Sequence, residues 1–457
     1  MEDTTRQGRA DYTEGPIIGS ILKMGLPSMF GFLSNNIYHL VDTWWVSRLP
    51  QGEMAVAALT FFNPILMVLF SFNMLIGPGS VAVISRRYGE KDYPRTEKAI
   101  KETLLLKLLC GFIFGLIGFV FIRDLMSWVG AAGEVLAMGV PYGQIWLLGL
   151  AVPYATYSIF TGMRGVANPN MAMFLMIGSN LFNLGLDPLL IFGYFGFPAW
   201  GIAGAAAASM ISYTLTLTVG LILFYRGSTN VRLHFKGKAP ISVASSLKIV
   251  RIGVPAWLAS ISWSSSRVLI ISLIENFGTS VVAAYGVGIQ IVSFGIMVVV
   301  GIGLGLSSLI GHNLGAEKIK RARQTGNQAI LLGVGIMIVL GLFVFIFAGW
   351  IMGKFFEAPE TIAHGVAILQ IFAISFPAFG LFFMIEEIHM GVGLNTPMMI
   401  FEVILNWVLQ VLPIWIAVTW LGWSPTAVWW IITGSLVVTS IAVYAYYRRG
   451  RWLTVKV

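Results

Sequence analysis

The chain has 457 residues, of which 57% are hydrophobic and only 11% are Asp, Glu, Lys or Arg, and it carries a formal net charge of +9. A soluble domain carries about 25% charged residues, so this chain cannot clothe itself in a water-compatible surface, and a soluble enzyme is excluded. A disulfide scaffold is excluded too, because Cys110 is the only cysteine and lies in an apolar run.

Residues 1–16 are polar, carrying Asp3, Arg6, Arg9, Asp11 and Glu14, and read as a tail without a cleavable signal. A membrane-crossing helix needs about 20 apolar residues. Apolar runs bounded by Gly, Pro or charge predict twelve spans, near 17–47, 55–86, 95–122, 134–164, 169–193, 199–226, 243–275, 280–312, 322–350, 361–390, 396–421 and 425–447. The expected fold is an all-α membrane protein with an N-lobe at 17–226, an inter-lobe loop at 227–242, a C-lobe at 243–447 and a tail at 448–457. Segments on the side of the N-terminus hold 24 Lys and Arg, whereas the other side holds 3, namely Arg48, Arg123 and Lys354. That asymmetry predicts both termini in the cytoplasm. The net charge is then a topology signal that also suits anionic lipid, and nucleic acid is not an expected partner.

The sequence repeats itself at an offset of 226 residues. Ile76-Gly77-Pro78-Gly79-Ser80 faces Ile302-Gly303-Leu304-Gly305-Leu306, Val56-Ala57-Ala58 faces Val282-Ala283-Ala284, and Asn180 faces Asn406. Six spans per repeat start both halves on the same side. The lobes are therefore expected to be related by a pseudo-two-fold axis along the membrane normal, with a cavity between them. Such a duplication suits alternating access.

Polar residues inside the spans mark candidate function. In span 1, Asn35, Tyr38, His39 and Asp42 fall on one helical face. An aspartate at membrane depth costs about 2.5–3.5 kcal/mol. Removal from water disfavours the ionised form of a carboxyl group, so such an acid can take up a proton on one side and release it on the other. Span 5 repeats the pattern with Asn180, Asn183 and Asp187, followed by Pro188, which has no N–H for the carbonyl of Leu184. Ser209 of span 6 adds an oxygen. Together these groups suit a proton relay, a small hard cation such as Na+ at Asp42 and Asp187, or an interhelical hydrogen-bond clamp. Pro27 and Pro255 stand at matched places in spans 1 and 7, as kinks or hinges.

The second half carries Arg267 on span 7, Glu386, Glu387 and His389 on span 10, and Glu402, Asn406 and Gln410 on span 11. Arg267 is expected to pair with one of the glutamates, because a lone buried charge is prohibitive. This set reads as a fixed ion-pair network or as a second ion or substrate site. No Cys/His metal spacing and no phosphate-binding loop occur. Without a nucleotide, energy has to come from a gradient, about 2.3 kcal/mol per charge for each 100 mV.

These residues resemble the multidrug and toxic compound extrusion family, nearest to its DinF-like prokaryotic branch. The resemblance covers nearly the whole chain. It rests on Leu26-Pro27, Leu40-Val41-Asp42 to Trp45-Val46-Ser47, Gly77 to Arg86-Arg87-Tyr88-Gly89, Arg164-Gly165 with Asn168, and Asn183 to Leu186-Asp187-Pro188. It implies a twelve-helix antiporter expelling amphipathic, often cationic compounds, driven by H+ or Na+, in the plasma membrane of a prokaryote. Asp42, Asn183, Asp187 and Ser209 then fall on the family's N-lobe cation or proton site, Tyr142 on a tyrosine lining it, and Pro27 on its bending proline. On span 4 this chain has Tyr154, Thr156, Tyr157 and Thr161 where relatives carry asparagines.

The expected function is a cation-coupled efflux antiporter in which Asp42 carries the proton with Asp187, and Asn180 or Asn183 orients them. Asn35, Tyr38, His39, Tyr157 and Met163 are expected to line the substrate cavity, since soft and aromatic side chains tolerate varied shapes. No cofactor beyond H+ or Na+, no enzymatic activity and a monomeric state are expected. A lipid or lipid-linked oligosaccharide flippase is the alternative, although only Lys107 and Arg267 offer positive charge within spans.

Overall fold

The computed structural model describes residues 11–234 and 242–455. Most of the expected N-terminal tail, the middle of the inter-lobe loop and the last two residues lie outside that range. Among the described residues the chain is helical. Eleven stretches are long and apolar enough to cross a membrane, and a bent pair makes a twelfth. It is a multi-pass membrane protein.

In chain order the first half contains α1 (Ile17–Ser47), α2 (Gly52–Ser71), α3 (Gly77–Gly89), α4 (Tyr93–Val129), α5 (Gly133–Leu148), α6 (Ala151–Gly165), α7 (Pro169–Phe192) and α8 (Ile202–Arg226). The second contains α9 (Val243–Ile274), α10 (Thr279–Gly315), α11 (Ile319–Phe355), α12 (Pro359–Val392), α13 (Thr396–Val403), α14 (Leu412–Thr419) and α15 (Pro425–Arg448), with π-helical turns at Ile404–Val411. Polar side chains start two helices: Asp92 accepts from the Arg95 N–H at 3.0 Å and Ser242 from the Ser245 N–H at 3.4 Å.

The two halves are copies with different stiffness. Span 2 breaks between α2 and α3, whereas its counterpart α10 runs unbroken for 37 residues. Pro78 explains the difference, since it lacks the N–H that Leu304 keeps at the matched position. At the end of α2 the Leu69 carbonyl accepts from the Phe72 N–H and from the Tyr154 hydroxyl. Span 4 likewise bends by 49° between α5 and α6, four residues before Pro153, while its counterpart α12 is continuous.

Contact between the halves is concentrated at the end of the molecule that carries the termini. There α10 packs on α1 and α3, α9 on α3, and α11 on the start of α1. Gly305 meets the backbone of α1 so closely that an added Cβ would sit 2.4 Å from the Met24 carbonyl. Gly253 meets Leu75 in the same manner, at 2.0 Å. Polar ties reinforce this end. Buried Glu102 of α4 accepts from the Ser242 N–H at 2.9 Å and the Ser245 hydroxyl at 2.6 Å. Lys318 donates to Thr13 and Glu14 of the N-terminal segment, and Asp11 lies 3.7 Å from Lys91. Away from the termini, α7 and α8 pack on α1, α5 and α6 within their own half.

Candidate functional site

The polar stripe of α1 faces α7 and α8. Asp42 is 7% exposed, Asp187 0%, Asn183 2% and Ser209 1%, so four polar side chains are sealed inside one apolar half. The two carboxyl groups feel each other electrostatically. With its amide oriented to satisfy both ends, Asn183 donates to Asp187 Oδ2 at 3.1 Å and accepts from the Ser209 N–H at 3.1 Å. Ser209 Oγ lies 2.6 Å from Tyr38 Oη. Asp42 Oδ1 and Asp187 Oδ1 are buried without any hydrogen-bond partner. An unsatisfied buried acceptor costs about 1–3 kcal/mol, and a proton or a small hard cation would satisfy either oxygen.

Around this centre sits a tyrosine shell. Tyr142 of α5 is buried within electrostatic reach of both aspartates and packs edge-on to Phe62, with ring centroids 5.3 Å apart. Tyr213, one turn after Ser209 on α8, is buried within electrostatic reach of Tyr157 and Asp42. Tyr213 was not among the expected residues; its i, i+4 spacing from Ser209 was the available signal.

Several expected residues are placed elsewhere. Asn180 does not touch the aspartates: it donates to Ser34 Oγ at 2.9 Å and clamps α7 to α1. Tyr38 belongs to the sealed centre rather than to a cavity wall, because its hydroxyl is committed to Ser209. Met163 is fully exposed to neither cleft nor lipid; it is 0% accessible and packs among Ile84, Ile100 and Phe224. Asn35, His39 and Tyr157 do form a group, partly exposed, with Asn35 Nδ2 3.5 Å from both His39 Nε2 and Tyr157 Oη. Pro27 is buried within α1, which continues through it.

The second half separates into three clusters instead of one network. Arg267 forms no ion pair with a glutamate among the described residues. Its Nη2 donates to Gln410 Oε1 at 2.6 Å and Asn406 Oδ1 at 3.4 Å, and the guanidinium lies within electrostatic reach of Tyr285. The π-helical turns carry both amides, and their carbonyl oxygens supply the acceptors expected of a carboxylate. Gln410 passes the chain on to Ser435 at 3.1 Å. Glu386 and Glu402 instead lie within electrostatic reach of each other. Glu387 lies within electrostatic reach of Glu386 and, across the interface between halves, of Arg164. Lys107, 1% exposed, lies near Arg164 inside the first half. Among the described residues no group of three or more His, Cys, Asp or Glu could hold a metal ion.

Comparison with known proteins adds a family signature in both halves. The MatE family model matches residues 27–189 and again residues 255–416. The chain is 27% identical over 425 residues to the "probable multidrug resistance protein YoeA" of Bacillus subtilis, covering 93% of this chain and 92% of that one. It is 25% identical over 361 residues to the "multidrug export protein MepA" of Staphylococcus aureus, covering 79% and 78%. Among solved structures it superposes on an outward-facing multidrug resistance MATE transporter of the MOP superfamily, with a TM-score of 0.87 at 23% identity and 98% coverage of both chains. A MOP superfamily transporter from Pyrococcus furiosus, described as having a binding pocket of reverse polarity, gives a TM-score of 0.87 at 22% identity with the same coverage.

Proposed function

The chain belongs to the MatE family, and from that membership we propose that it is a multidrug efflux antiporter driven by H+ or Na+. Amphipathic, often cationic compounds enter the space between the lobes, and the Asp42–Asp187 pair takes up the coupling ion. The observation that carries this reading is the pair of buried carboxylate oxygens left without partners, beside Asn183, which bonds Asp187 Oδ2, and the mutually bonded Ser209 and Tyr38. A fixed structural clamp would have closed those valences, as Asn180 and Ser34 do.

Coupling requires that ion and substrate prefer different conformations, since a ligand binding both states equally shifts nothing. The ion site lies inside one lobe, whereas Asn35, His39 and Tyr157 form a partly exposed group on it. Asn35 and Tyr38 lie one turn apart on α1, so a movement of this helix is felt by both places. The tight packing near the termini supports a state open to the opposite side, and the Lys and Arg asymmetry supports termini in the cytoplasm, so that this state faces outward.

The test is dye efflux from proteoliposomes under an imposed pH or Na+ gradient, comparing the wild type with Asp42→Asn. The amide preserves shape but neither ionises nor carries a proton. Gradient-driven efflux is expected to vanish while insertion and folding stay normal. Undiminished gradient-driven efflux in the variant would remove Asp42 from the mechanism.

A further inference from the structure

Where the second half ends, near the termini, lies a cavity of about 260 Å³ lined by Arg323, Asn327, Tyr447, Arg448 and Trp452. The chain builds it by folding back on itself. After α15, Gly450 adopts φ +71° and the turn Arg451–Thr454 tucks Trp452, 1% exposed, under the lobe. The Trp452 indole donates to the Tyr447 carbonyl at 3.3 Å and stacks on the Tyr447 ring, with centroids 5.3 Å apart at 17°. The Tyr447 hydroxyl then donates to Asn327 Oδ1 at 2.9 Å, leaving the Asn327 NH₂ as a donor. Gly326 permits this approach, since a Cβ there would lie 2.5 Å from the hydroxyl. The floor is thus a fixed aromatic pair, and the rim carries two guanidinium groups.

Among the described residues no carboxylate lies within 4.0 Å of Arg323 or Arg448, although several other cations at this end have one. Arg448 rests on Tyr444, 3.3 Å from its hydroxyl. Planar guanidinium forks match phosphate oxygens two at a time. The helices leading away from the rim are apolar and exposed. One turn beyond Asn327 on α11 is Leu331, 74% exposed, and along α15 from Arg448 come Ile441 at 61% and Val438 at 59%. Paired cations at the mouth, with apolar tracks running from it into the membrane zone, match an amphiphile rather than a soluble anion.

We propose that this cavity binds the phosphate of an anionic lipid headgroup, whose acyl chains lie along α11 and α15. Arg323 and Arg448 clasp the phosphate, Asn327 donates to a headgroup oxygen, and Trp452 fixes the floor at the interface depth where Trp and Tyr are favoured. The folded-back C-terminal segment thereby becomes part of a lipid site.

The experiment titrates the full chain, purified in detergent, with dioctanoyl phosphatidylglycerol, dioctanoyl phosphatidylcholine or inorganic phosphate at equal ionic strength, and follows the melting temperature. Phosphatidylglycerol is expected to stabilise the protein saturably and the other two are not. Arg323→Gln with Arg448→Gln is expected to weaken that response roughly tenfold or more, the factor one charge-assisted hydrogen bond supplies. Arg226→Gln with Arg251→Gln, which removes two exposed charges elsewhere at the same end, is expected to keep it. An equal response to phosphatidylcholine overturns the proposal, and so does equal loss in the control pair, which would indicate diffuse charge. Stabilisation by inorganic phosphate at matching concentration overturns the lipid assignment in favour of a soluble phosphate.

Discussion

Replacing Gly305 by alanine drives a wedge between the lobes at the one end where they are closed. The new Cβ would stand 2.4 Å from the Met24 carbonyl and 2.6 Å from the Gly25 nitrogen, against an ordinary contact of 3.4 Å or more, so α1 and α10 have to part by about 1 Å. The clashing atoms are main chain, which cannot swing aside as a side chain would. Overpacking of this kind costs about 1–3 kcal/mol. The strain falls on the interface and not within either lobe, so it penalises the state closed near the termini and spares a state opened there. In an equilibrium of two states that penalty is about a 5- to 150-fold change in population. The readout is a distance between spin labels at Phe195 and Asn276, exposed loop residues of opposite halves at the far end, in a Cys110→Ala background. Gly305→Ala is expected to shift the distribution towards the shorter distance, as the far end shuts while the near end opens. Gly335→Ala, where a Cβ meets nothing within 4 Å, serves as the control. A wedge that lowers stability yet leaves the far distance unchanged would refute rocking of the lobes as coupled bodies.

Two further expectations concern charges at fixed places. Arg267→Met strands the amide oxygens of Asn406 and Gln410 in the second half and is expected to destabilise by about 1–3 kcal/mol; adding Gln410→Met is expected to recover part of that loss, and a strictly additive double variant in thermal melts would show the two do not interact. Outside the membrane, burial raises the Asp11 carboxyl pKa. Hydrogen bonds from Thr13 and the charges of Lys91 and Lys318 outweigh that effect and hold it below the usual carboxylate range. Because the folded value is depressed, the stabilisation is complete above the unfolded value of about 3.9 and disappears as pH falls through the folded one. Melting temperatures of wild type and Asp11→Asn should therefore converge below about pH 4, and a constant gap down to low pH would contradict this.

The spans were legible because hydrophobic length is a one-dimensional property: a membrane demands about 20 apolar residues whatever their partners. The pairing of Asp42 with Asp187 was legible in kind, since both project from polar stripes at helical spacing, and the stripes meet. What escaped was anything that depends on a local change of helical pitch. The stripe Glu402, Asn406, Gln410 assumes uniform α-helix, whereas the two amides lie in π-helical turns that begin at Ile404, after Glu402. Arg267 meets Asn406 and Gln410, while Glu402 lies within electrostatic reach of Glu386. Met163 was misjudged for a different reason. A methionine suits a core as well as a binding surface, and only the neighbours Ile84 and Phe224 decide between them. Asn180 and Asn183 look equivalent in the sequence, yet a 100° step per residue around the helix sends one to Ser34 and the other to Asp187.

The interruptions at Pro78 and before Pro153 give the tandem repeat an unequal mechanical inheritance. Two copies of one ancestral segment would bend alike, and a force applied between them would divide evenly. Here the first copy has joints in spans 2 and 4, and the second has unbroken rods at the same stations. A bend at those two stations is thus open to the first copy alone, and the second keeps straight helices there as a fulcrum.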